Sequence, residues 1–384
     1  MTVRFIFWCV GFMAGMGIML SISACRYIDA VRGKPVPQTY EGRELAAAVG
    51  AIPSNIGLAF SGLSFYQGRL YVSSNVGIFK ISDNEPMQLL VWYPWNDVVS
   101  GPWVDRSRDR LWVLHDALDG FYIYDGVSWM PVDQPTELNR GDRLTGYSGL
   151  SNQSNFWMQA STGVWHWNKE GRNFEPLDLP PIICSDYPKE MGSSPCFASL
   201  APTDKHEFVI MHTEHIDSLF SWVLTQPERT PRPLPDRVFL RREGEWIEVS
   251  GTNDPSFISK RVVTTPSVAY VLAYDGTMFK IDENAIEKIE PPGQIEAMAS
   301  TPSGNLIASV RHKGIFRYND QWTKIFDCPY PQEFPIAFAY LAGDESRVAL
   351  AAVPEQGERS KDTARAHLWV SKGERMVEIQ IEGN

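Results

Sequence analysis

From residue 56 to the C-terminus the apolar positions fall in short runs broken by polar turns, and helical periodicity is absent. A unit recurs. Its second run is apolar almost throughout, as in Leu70-Tyr71-Val72, Leu111-Trp112-Val113, Phe156-Trp157-Met158, Ala269-Tyr270-Val271 and Leu306-Ile307-Ala308. Its third run opens on glycine, as in Gly77-Ile78-Phe79, Gly120-Phe121-Tyr122, Gly163-Val164-Trp165 and Gly314-Ile315-Phe316. Its fourth run is headed by a large apolar residue, in turn Met87, Trp129, Phe174, Trp246, Ile286, Trp322 and Met376. Those heads lie about 40 residues apart, a spacing typical of structural repeats. Two intervals are longer and contain the insertions 214–236 and 354–366.

Seven copies of a unit of short antiparallel strands, none able to bury its apolar faces alone, are expected to stack radially. The predicted fold is an all-β, seven-bladed β-propeller of four-stranded blades over residues 56–384, with Gly62–Phe65 and Glu296–Ala299 as inner strands. Trp129, Trp246 and Trp322 recur at one structural position and are expected in the core. Trp92 and Trp95 lie off the pattern and are expected on an exposed shelf. The insertion at 214–236 reads either as a docking segment or as an extra strand with an extended crossover.

The N-terminus is different. Residues 5–20 form an unbroken apolar run of 16 behind Arg4, shorter than the roughly 20 residues a spanning helix needs. Ile22-Ser23-Ala24-Cys25 follows and resembles the bacterial lipobox. That resemblance implies a signal peptide over 1–24, a lipid on Cys25, and a membrane-anchored tether over 25–55, with 44–51 as one short helix. Arg26 in place of aspartate favours the outer membrane in a Gram-negative host. The alternative is a single uncleaved N-terminal anchor; either way the remainder is exported to the cell envelope.

Cys184 and Cys196 bracket a polar loop able to bring them within disulfide reach, and stand either as a disulfide or as two thiols. Cys328 is left as a free thiol. The net charge of −11 argues against nucleic acid as a partner.

Units such as GRLYVSSNVGIFKIS (68–82) and DRLWVLHDALDGFYIYDGVSWMPV (109–132) resemble the blades of bacterial periplasmic propellers, especially the ligand-binding repeats of two-component sensors. The resemblance implies an exported binding domain. WD-repeat and sialidase-type signatures are missing from the repeats.

In this architecture the loops from second to third strands share a face with the blade-to-blade connections. On that face the sequence places His115 and Asp116, then His212, Glu214 and His215, then Asp275, then His312. These are the candidate ligand-face residues. His212-x-Glu214-His215 has ligand types suited to zinc, but a strand-to-loop HxEH lacks the helical spacing that aligns HExxH, so no metal is assigned. No nucleophile elbow, phosphate loop or activated cysteine is present, and no cofactor is assigned. The expected function is a non-catalytic platform for a protein or small-molecule partner. An exported hydrolase or lyase using the histidine-bearing face is the alternative. The rim, counted as acidic and imidazole-rich, would favour a cationic or polyhydroxyl ligand.

Overall fold

In the computed structural model the described residues are 40–41, 60–75, 77–83, 85–92, 99–105, 110–115, 120–132, 148–151, 156–160, 163–168, 173–180, 197–211, 235–249, 254–332, 334, 336–354 and 366–381. They form seven antiparallel sheets, each of four consecutive strands, with a fifth strand added to the first sheet. Neighbouring innermost strands touch around a circle, and Phe60–Tyr66 of blade 1 meets Ile336–Gly343 of blade 7 to close it. The chain is therefore the expected seven-bladed propeller.

Blade 5 shows why these residues make these strands. Ser259–Thr264, Ala269–Ala273, Met278–Ile281 and Ile286–Ile289 pair in order. Successive side chains of Ala269–Ala273 point to opposite faces. Ala269, Val271 and Ala273 pack on blade 4, while Tyr270 and Leu272 pack on blade 6. Both faces are covered, so the second strand is apolar at every position. Seven apolar clusters fill the seven seams in the same way, including Phe60, Leu70, Ala349 and Leu368 between blades 7 and 1.

Each blade is one continuous stretch of chain, and no blade borrows a strand from the far terminus. The closing seam relies on side chains. Arg347 of blade 7 donates to the Gly68 carbonyl of blade 1 at 2.7 Å, pairs with Asp344 at 2.7 Å, and lies over the Phe65 ring at 4.8 Å.

Three details depart from the sequence reading. Tyr40–Glu41, inside the expected tether, pairs with the outer strand Gln88–Trp92 of blade 1 and covers that edge. Trp92 ends that same strand and so belongs to the repeat; Trp95 lies outside the described residues. Trp129, Trp246 and Trp322 are half-buried at the blade seams and not in the core. Two of them act as latches: the Trp246 indole donates to the Asp178 carbonyl at 2.7 Å and Trp322 to Glu290 at 3.0 Å, each on the preceding blade.

The innermost strands share one irregularity. In six of the seven blades their pairing slips by a residue or two at the start, as at Ser259/Arg261 and Ile295/Ala297. Such a bulge leaves residues unpaired and re-aims side chains. At the opposite end of the ring the inner strands surround a cavity of about 320 Å3 of mixed character, lined among others by Phe65, Trp103, Val262, Thr264, Ser300 and Leu341.

Candidate functional site

The bulged residues are Ser61, Gly101 with Pro102, Ala198, Lys260, Glu296 and Ala337. Only blades 5 and 6 carry charge there, and around them a polar cluster assembles on the expected face. It draws on the inner strands of blades 5, 6 and 7, on the turn Arg311–Lys313 after the second strand of blade 6, and on the connection from blade 6 to blade 7.

Glu296 is its centre. Its side chain is 8 % exposed. One carboxyl oxygen accepts a short hydrogen bond from the Tyr330 hydroxyl. The other lies 3.4 Å from Arg311 Nε, yet the two groups are misaligned, and among the described residues neither atom has a hydrogen-bond partner. The pair is thus an ion pair by distance with no hydrogen bond to strengthen it. Loss of water raises the Glu296 carboxyl above the ordinary carboxylate range, more than Tyr330, Arg311 and His312 lower it. Burial and the acceptor Glu296 together push the Tyr330 hydroxyl upward.

Arg261 stands on the other side of the same residue. Its guanidinium donates to the Glu296 backbone carbonyl at 3.1 Å and has no carboxylate partner among the described residues. Desolvation lowers its pKa, opposed by nearby Tyr340 of blade 7. Lys260, His312 and Lys313 are exposed around this cluster; Lys260 lies 6.0 Å from the Tyr274 ring, and Lys313 donates to the Pro292 carbonyl at 2.6 Å. His312 sits in a left-handed turn (φ 56°) with its ring 6.5 Å from that of Tyr330. The Cys328 thiol is free, half-buried, and donates to the Tyr330 carbonyl at 3.4 Å.

Of the residues singled out from sequence, His312 belongs to this cluster. Asp275 is exposed at the end of blade 5, where its carboxylate accepts from Thr277 N–H at 3.0 Å and shapes its own turn. His115 ends the second strand of blade 2, on the same face by topology. Asp116, His212, Glu214, His215, Cys184, Cys196 and Cys25 lie outside the described residues, as do the signal segment 1–24 and most of both insertions. The last residue of the 214–236 insertion, Asp236, is buried and accepts from Ser259 N–H at 2.6 Å, fixing the start of the blade 5 inner strand.

Lys260, Arg261, Glu296 and Tyr330 were not flagged by sequence. The signal shared by Lys260 and Glu296, a charged residue at the second position of an inner strand, becomes meaningful only once the bulges are known. Across blades 5 and 6 the described charges of the cluster are mainly basic, although the chain as a whole is acidic.

A raised carboxyl pKa binds extra protons in the folded state. Its stabilising contribution is complete below the ordinary carboxyl value and fades as pH rises through the raised one. Glu296→Gln is therefore expected to remove a stability loss: little different from wild type near about pH 4, more stable near about pH 7. Urea melts at both pH values check this, and parallel wild-type and variant curves would contradict it.

No family model matches the sequence, and no curated protein matches it. Solved structures do match its fold. The β-propeller domain of the Trilobed protease from Pyrococcus furiosus, described as having an open velcro topology, aligns with TM-score 0.53 and 10 % identity over 85 % of this chain and 98 % of that one. Pyrococcus horikoshii acylaminoacyl peptidase aligns with TM-score 0.54 and 10 % identity over 84 % of this chain, which spans about half (52 %) of that protein. The extracellular domain of a putative hybrid two-component system from B. thetaiotaomicron aligns at TM-score 0.46 and 13 % identity, covering 86 % of this chain and 39 % of that chain. At these identities the likeness is one of fold: this chain is a seven-bladed propeller, similar in fold to the β-propeller domain of the Trilobed protease.

Proposed function

We propose that this chain is an exported envelope lipoprotein, anchored through Cys25, whose propeller is a non-catalytic binding platform with its ligand seated at the channel mouth of blades 5 to 7. One observation carries the reading. Glu296 is held on a bulge, desolvated and imperfectly paired with Arg311, at a cost to the fold. Strain of this kind collects where a surface is kept for binding. A hydrolase or lyase on the same face is the second reading, supported by the raised Glu296 carboxyl as a proton donor. Binding is preferred because one carboxyl oxygen of Glu296 is already taken by the Tyr330 hydroxyl and its backbone carbonyl by Arg261, which fixes the residue in place.

The test compares wild type, Cys25→Ser and the double variant Glu296→Gln with Arg311→Met, purified by cross-linked pull-down from native membranes. Cys25→Ser should leave the membrane fraction. The double variant should stay folded and membrane-bound yet recover its partner at least about tenfold less, the effect of losing roughly 1.4 kcal/mol of binding. Mature protein still carrying residues 1–24 would overturn the lipid anchor. Undiminished recovery by the double variant would overturn the site.

A further inference from the structure

Arg261 and Arg311 flank a single residue from two directions. One guanidinium is 3.1 Å from the Glu296 carbonyl and the other 3.4 Å from its carboxyl. A guanidinium offers five donors in a rigid planar fork. Arg261 uses one of them within the described structure, in a position largely removed from water. Arg311 keeps its buried Nε without an aligned acceptor. The Glu296 side chain beside them is itself largely removed from water, so bulk water is a poor substitute for an acceptor there.

The local charge is unbalanced. Two guanidiniums and one carboxyl meet around Glu296, so even with it ionised the cluster retains one positive charge. Lys260 and Lys313 at the exposed margin add to the sign. A dianion such as phosphate would be balanced on one side and repelled by Glu296 on the other. A planar monoanion matches both the charge and the fork geometry.

We infer that the throat beside Glu296 binds a carboxylate, taken between Arg261 and Arg311. Glu296 gives selectivity in this arrangement: it orients Arg311 and repels a second negative charge. This inference rests on the binding-platform reading and specifies the chemistry of its ligand. Two sources share that chemistry, a small free carboxylate and the C-terminal carboxylate of a peptide.

The full chain, solubilised in detergent, is titrated calorimetrically with butyrate, with N-acetyl-trialanine, and with the C-terminal amide of that tripeptide. Wild type should bind at least one of the two acids saturably and the amide not at all. Binding of both acids marks the carboxylate alone as the recognised group; binding of the tripeptide acid only marks a chain terminus. Arg261→Met should weaken the acid more than about tenfold, and Arg261→Lys, which keeps charge but loses the fork, should fall between. The lysine variant carries the comparison where the methionine variant does not fold. Failure of both acids, equal binding of acid and amide, or wild-type affinity in the Arg261 variants overturns the inference. If both acids fail while membrane partner recovery still depends on Glu296 and Arg311, the platform stands and only its assigned chemistry falls.

Discussion

Trp112→Ala is expected to destabilise the propeller by about 3–5 kcal/mol, the range for truncating a fully buried aromatic. Trp112 is 0 % exposed in the seam between blades 2 and 3. Its ring stacks on Phe156 at 4.1 Å, nearly parallel at 3°, and meets Trp167 edge-on at 5.3 Å. Removing it leaves a cavity bounded by strands of two blades, each hydrogen-bonded to its own sheet and unable to collapse inward. Trp112→Phe should be far milder, because it keeps the stack and deletes an indole N–H that has no partner among the described residues. Chemical denaturation of the three proteins checks the order, and a wild-type midpoint for the alanine variant would refute it.

Gly314→Ala should cost on the order of 2–4 kcal/mol through backbone strain and overpacking, and should also disable the site. Gly314 has φ +117°, a region L side chains rarely adopt, and an added Cβ would lie 2.2 Å from the Phe326 carbonyl oxygen. The same Cβ would press on the backbone of Asp327 and Cys328 at 3.0 Å. Relief requires moving the segment that carries Tyr330, hence the hydroxyl bonded to Glu296. Stability and partner recovery should fall together in this variant, whereas Trp112→Ala, in the seam between blades 2 and 3 on the other side of the ring, should lower stability alone at temperatures where it remains folded. Independent loss of the two properties in Gly314→Ala would show that the turn and the site are uncoupled.

The propeller was legible because second strands such as Ala269–Ala273 are buried on both faces and therefore apolar without a gap, a signal that survives seven unequal copies. Gly314 was legible for the same reason in reverse, since its turn tolerates no side chain. Tyr40–Glu41 was not: a two-residue edge strand has no period to detect. The site was half legible. His312 stands out by type and position, but Arg261 and Glu296 look like ordinary polar positions in alternating strands. The slips at Ser259/Arg261 and Ile295/Ala297 break that alternation, and a one-residue change of register reassigns which face a side chain serves. The basic character of the described cluster was not legible either, because Lys260, Arg261, Arg311 and Lys313 come together only when blades 5 and 6 pack side by side.

The way the ring closes lets the chain be rewired. With every described sheet made from consecutive strands and the last seam held by packing and by side-chain contacts of Arg347 and Lys372, no described sheet bridges the two ends of the ring. Linking the natural ends of the ring and cutting between any two blades would yield a permuted protein with all seven sheets intact. A propeller sealed by a strand shared between its termini would not tolerate this, since most cuts would leave that shared sheet assembled from a new loop. A partner or reporter could be inserted at whichever seam lies farthest from Glu296.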